Sequence, residues 1–144
     1  MRALLDVNVL IALLDADHTQ HELARDWFGQ HAPKEGWASC PITQNGCVRI
    51  MSSPGYPNAL PPRSIIERLA AATAMPQHTF WPDEVSLLDP NVADPLRLHG
   101  PRQLTDAYLL ALAVRRRGCF VTFDQSVPRE AVRGATTRHL IALA

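Results

Sequence analysis

The chain has 144 residues, enough for one domain with a substantial core and no need of disulfide or metal staples. Hydrophobic residues make up 47% and charged residues 19%, a balance that excludes an intrinsically disordered chain. A formal net charge of zero excludes a global field that would draw in nucleic acid. Residues 3–5 are a short apolar run ending at Asp6 and read as a buried first strand. Asn8 then caps a helix over residues 9–14. A second helix is expected over residues 21–30, broken by Pro33, Glu35 and Gly36. Residues 37–40 read as a second strand, and Pro41 opens a third helix over residues 42–51, weakened by Gly46.

Five prolines and glycines between Ser53 and Pro62 demand a loop. Ile65, Ile66, Leu69 and Thr73 space a helix over residues 64–74, ended by Pro76. Residues 80–81 and 85–88 are short strand-like pieces. The strongest helical pattern covers residues 103–117, with Gly118 just past its end. Residues 119–123 form a strand stopping at Asp124, a short helix over residues 126–132 follows, and residues 139–143 close the chain as a last strand. This alternation predicts an α/β fold of one domain over residues 1–144: a three-layer sandwich with a mainly parallel central sheet and helices on both faces.

Cys40, Cys47 and Cys119 are odd in number and form no C-x-x-C pair, which points to a reducing, cytoplasmic setting. The apolar opening is interrupted by Asp6 and Asn8 and is too short to cross a membrane. Charge is unevenly spread. Residues 1–96 balance at −5, whereas residues 97–144 balance at +5 with eight arginines, a distribution suited to a phosphate-bearing substrate. Exposed helix ends attract arginine too, so the asymmetry by itself has two readings.

In an open parallel sheet, ligands bind beyond the carboxyl ends of the strands. Asp6 and Asp124 each follow an apolar strand directly. Asp106 opens the long helix that leads back to the strand before Asp124, so that helix begins at the same edge. Three carboxylates crowded on one rim repel each other unless a cation compensates them. With hard oxygen donors and no Cys/His set, that cation is Mg²⁺, or Mn²⁺ in its place. An ion so held suits metal-assisted phosphodiester hydrolysis. Each Asp also stands where aspartate caps a helix, and that reading stays open for any one of them. Asp15, Asp17, Asp83, Asp89 and Asp94 read as turn formers, and His18 with His21 lacks the partners zinc needs.

The segments Leu4-Leu5-Asp6-Val7-Asn8, Thr105-Asp106-Ala107-Tyr108-Leu109-Leu110 and Val121-Thr122-Phe123-Asp124-Gln125-Ser126 resemble the PIN-domain nucleases, most closely the VapC-type toxins of bacterial toxin–antitoxin pairs. Residues 42–50 resemble that family's third helix. The resemblance implies a PIN-like sandwich and a Mg²⁺-dependent endoribonuclease with Asp6 and Asp106 as main metal ligands and Asp124 as a third carboxylate. It also implies that Asn8 and Thr122 orient these ligands, and that the protein forms a homodimer neutralised by a small VapB-type antitoxin. One departure concerns Gln44, which stands where the family usually has a glutamate; it still offers an oxygen near the metal but removes a charge. Arg102, at the N-terminal end of the Asp106 helix, is the arginine best placed to bind RNA.

A haloacid-dehalogenase-like phosphatase needs a second acid two residues after Asp6 and a lysine near the phosphate; Asn8 occupies the first place and Lys34 is the only lysine. The other rival is a PIN fold that binds RNA or a protein but has lost cleavage through Gln44.

Overall fold

The computed structural model describes residues 1–144. Its strands are β1 (Ala3–Leu5), β2 (Trp37–Ser39), β3 (His78–Phe80), β4 (Cys119–Thr122) and β5 (Leu140–Ala142). They form one sheet in the order β3-β2-β1-β4-β5, every pair parallel. The helices are α1 (Val7–Leu14), α2 (His21–Glu35), α3 (Pro41–Met51), α4 (Pro62–Thr73) and α5 (Leu104–Arg115). The mainly parallel expectation thus becomes a wholly parallel sheet.

Strand side chains alternate faces, and the two faces carry two cores. Ala3 and Leu5 of β1 and Cys119 and Val121 of β4 point into a core shared with Val9, Ile11, Met51, Ile65 and Leu69, under α1 to α4. Leu4 and Phe120, on the other face, meet Leu109, Leu110 and Leu112 of α5. Two glycines permit the close approaches this layering needs. A Cβ at Gly46 would stand 2.7 Å from Val7 Cγ2, so α3 lies directly on the start of α1. A Cβ at Gly118 would run into the Arg2 carbonyl and stand 2.6 Å from Trp81 Cη2.

Four local expectations are corrected. Asn8 does not cap α1; it lies inside the helix, and Asp6 is the N-cap, its carboxylate accepting from Val7 N–H at 2.8 Å. Pro33 does not break α2, which runs on to Glu35 before Gly36 turns the chain at φ 78°. The bond Pro33 cannot donate falls at Gly29, on the exposed side. The last turn is tied down from outside, by the N-terminal ammonium on Glu35 at 2.6 Å and by His31 Nε2 against the Met1 carbonyl at 2.9 Å. Residues 85–88 are not a strand: Trp81 N–H makes its bond to Ser39 at 2.9 Å, Pro82 has no donor to continue, and Val85 and Leu87 pack against the α5 core instead. Residues 126–132 hold only a 3₁₀ turn, Arg129–Ala131, because Pro128 disfavours helical backbone at the preceding Val127.

All three cysteines are buried and unpaired, and no helix is long and apolar enough to cross a membrane.

Candidate active site

Asp6 leaves the carboxyl end of β1 and is 8% exposed. Its Oδ1 accepts from Val7 N–H, and its Oδ2 accepts from Thr122 Oγ1 at 2.7 Å. Burial pushes the Asp6 carboxyl above its ordinary range, the two hydrogen bonds pull it back, and the charge of Asp124 adds to the rise. Thr122, fully buried at the end of β4, also accepts the Asp124 N–H at 3.1 Å. One hydroxyl therefore joins the exits of the two central strands.

Asp106 sits in the first turn of α5, half-buried above that junction. Its carboxyl is pushed up to about 7, first by burial, then by the charge of Asp6, then by a hydrogen bond to Asp124 and the charge of Asp124. Asp124 is exposed and moves the other way. The Ser126 hydroxyl and Ser126 N–H hold it below the usual carboxylate range, and the bond to Asp106 lowers it further. The rim thus keeps a proton on one carboxyl near neutral pH, as a cluster of acids without a counter-ion must.

Those donors fit a small hard cation. All are carboxylate oxygens, with no cysteine or histidine among them. No three His, Cys, Asp or Glu side chains stand close enough together to cage an ion unaided. Mg²⁺ does not require a cage: it keeps several waters and takes one or two protein carboxylates. An ion here would replace the proton that Asp106 holds. A structural zinc site, closed by four Cys or His ligands, is not what these residues form.

The PIN domain family model matches residues 3–132. Ribonuclease VapC44 of Mycobacterium tuberculosis is 57% identical over 143 residues, covering 99% of this chain and 100% of that protein. This chain belongs to the PIN-domain family, on its VapC branch. Ribonuclease VapC39 of the same organism is 44% identical over 135 residues, 93% of this chain and 96% of that one. Two solved structures share the fold. VapBC2 from Rickettsia felis, bound to a DNA fragment from its promoter, aligns with a TM-score of 0.63 at 11% identity over 100% of both chains. Mycobacterium tuberculosis VapC20, a toxin that cleaves the Sarcin-Ricin loop, aligns with a TM-score of 0.56 at 10% identity, covering 81% of this chain and 84% of that one.

In this PIN-domain chain the remaining residues singled out from the sequence lie as follows. Asn8 is exposed on α1 and makes no hydrogen bond to the three acids. Gln44 is half-buried on α3, and its Nε2 donates to Ser39 Oγ at 2.9 Å; no hydrogen bond joins it to the carboxylates. Ser39 Oγ in turn lies 2.8 Å from His78 Nε2, whose ring burial holds below the usual imidazole range. The hydroxyl accepts from Gln44 and shares a hydrogen bond with the imidazole. Gln44 also lines a cavity of about 890 Å³ between α3 and α4, whose lining includes none of the three acids. Arg102 is exposed on the 3₁₀ turn Pro101–Gln103 that leads into α5.

Ser39 and His78 carry no signal in the sequence pattern that ties them to these neighbours, and Ser126 appears there as the last residue of the segment that carries Asp124.

Proposed function

We propose that this chain is a metal-dependent endoribonuclease, the toxin of a type II toxin–antitoxin pair, hydrolysing RNA phosphodiester bonds at the rim formed by Asp6, Asp106 and Asp124. The observation that carries the reading is the clustering of three carboxylates from β1, α5 and the end of β4 in a chain of the VapC branch. Mg²⁺, or Mn²⁺ in its place, would be held by Asp6 and Asp106 with Asp124 as the third carboxylate. When bound, the cation supplies a counter-charge to the phosphate and an acidified water as nucleophile.

The chain's own part is to hold the acids still. Thr122 and Val7 N–H fix both oxygens of Asp6, so its orientation is set before any ion arrives. The Asp106 carboxyl, raised to about 7, holds a proton that a cation taking its place would displace. Arg102 at the start of α5 takes a backbone phosphate. A VapB-type antitoxin as partner, a homodimer and a cytoplasmic location complete the reading; the named VapC relatives and the VapBC2 complex support the first of these.

Cleavage of a generic single-stranded RNA by the purified chain in Mg²⁺ or Mn²⁺ tests it. Activity should vanish in EDTA and fall about a hundredfold or more in Asp6→Asn and in Asp106→Asn. RNA that is bound but never cut, in either metal, would overturn the enzyme reading in favour of a binding module.

A further inference from the structure

Four aspartates in this chain close the same two-residue turn, with a side-chain oxygen accepting the backbone N–H two positions on. Asp15 accepts from Asp17 at 3.0 Å, Asp89 from Asn91 at 2.8 Å and Asp94 from Leu96 at 3.1 Å. In none of these does the side chain of the second residue add a bond, although the other oxygen of Asp15 takes the Tyr56 hydroxyl and that of Asp94 faces Arg97. Asp124 has it too, from Ser126 N–H at 2.8 Å, and it has one more, from Ser126 Oγ at 2.7 Å. The turn does not need the second bond, since three others form without it. Both bonds fall on Oδ1, and neither uses Oδ2.

We propose that Ser126 is a positioning residue of the carboxylate site: its hydroxyl, added to the turn bond, commits Asp124 Oδ1 to the protein and leaves Oδ2 as the oxygen offered to a divalent cation or its water. Asp124 is the one acid of the three that is exposed, so its rotamer is not fixed by packing. Asp6 is held by burial and two donors on different oxygens; Asp106 is held by its helix. Without the Ser126 hydroxyl, one N–H pivot would let the Asp124 carboxylate turn about χ2 and spread its charge over both oxygens. With it, a single oxygen faces the rim. The inference rests on the metal-dependent reading above and adds to it a residue that touches no ion itself.

The test is Mn²⁺ binding by calorimetry to the whole chain and to Ser126→Ala, Ser126→Thr and Asp106→Asn, with metal-free thermal unfolding and RNA cleavage alongside. Ser126→Ala keeps the backbone bond and so keeps the turn; its metal-free midpoint should match that of the parent chain. Its Mn²⁺ affinity should fall about tenfold, the lower end for loss of a group that orients a ligand. Cleavage should lose kcat with KM for RNA unchanged, and Ser126→Thr, which restores a hydroxyl, should recover most of both. Mn²⁺ binding that is lost in Asp106→Asn yet unchanged in Ser126→Ala would overturn the role of Ser126 alone. An equal loss in Ser126→Ala and Ser126→Thr would overturn it as well, because the hydroxyl would not be the cause. A parent chain that takes up no Mn²⁺ would overturn the metal reading and this inference together.

Discussion

Replacing Asp106 by Asn tests the electrostatics of the rim without touching its shape. The amide occupies the same volume and can still donate to Asp124, but it cannot ionise. In the parent chain the Asp106 carboxyl is raised from 3.8 to about 7. Between those pH values the folded protein keeps a proton that the unfolded chain has already released. Stability should therefore fall as pH rises from about 4 to about 7 and level off above, the sign required when the native state binds the extra proton. A gap of about three pH units is worth about 4 kcal/mol at full weight, and solvent screening of this half-buried group cuts that to about 2 kcal/mol. In EDTA at pH 8, Asp106→Asn should be the more stable protein by about 2 kcal/mol, or about 6 °C in midpoint for a chain of this size. At pH 4.5 the two should nearly coincide. Saturating Mn²⁺ should reverse the order at pH 8, because a ligand at a hundred times its Kd adds about 2.7 kcal/mol to the protein that binds it. Thermal unfolding across pH 4.5–8.5, with and without Mn²⁺, reads all of this. Midpoint curves that stay parallel across the pH range would refute the crowding of charge, whatever the metal result.

Thr122→Val removes a buried hydroxyl that serves both Asp6 and Asp124; it should cost about 2 kcal/mol in denaturant unfolding at pH 7 and weaken Mn²⁺ binding, since Asp6 loses the donor that favours its charged form. Gln44→Glu replaces the donor that Ser39 uses, so it should destabilise the fold by about 1 kcal/mol while leaving Mn²⁺ affinity unchanged; a tighter Mn²⁺ isotherm would mean that position 44 reaches the ion. Arg116 is paired with Glu84 at 2.5 Å whereas Arg102 has no such partner. In a cleavage-dead Asp6→Asn background, Arg102→Ala should weaken RNA binding and lower the slope of log affinity against log salt by about 0.7. Arg116→Ala should change neither, and equal losses would move the RNA path to the other end of α5.

Much of the architecture was legible because it is written between near neighbours. Leu4 and Leu5 before Asp6, and the apolar run before Asp124, announce buried strands. The apolar spacing after Thr105 announces a helix, and the loop rich in proline before α4 needs no tertiary information. From these alone the exits of β1 and β4 and the start of α5 fall on one edge, which is why three acids distant in sequence were singled out together. The errors were also local. Pro33 and the residues after Ser126 were judged by propensity, and what decided them was an N-terminal ammonium on Glu35 in the first case and, in the second, Pro128, which disfavours helical backbone at the residue before it.

By itself, then, the sequence determined the alternation of strands and helices, and it placed Asp6, Asp106 and Asp124 on one edge of the sheet, where the structure brings them together. It did so because periodicity, proline and glycine act through the covalent chain over a few residues. Only the tertiary structure decided how those acids behave. Thr122 meets Asp6 across 116 residues of chain. Asp106 holds its proton up to about 7 because α5 buries it and lays it beside two other carboxylates. Gln44 faces Ser39 because β2 and β3 present a hydroxyl and an imidazole beside α3. Burial, field and hydrogen-bond partner are properties of a place in the fold, and no run of neighbouring residues encodes that place until the layers have packed.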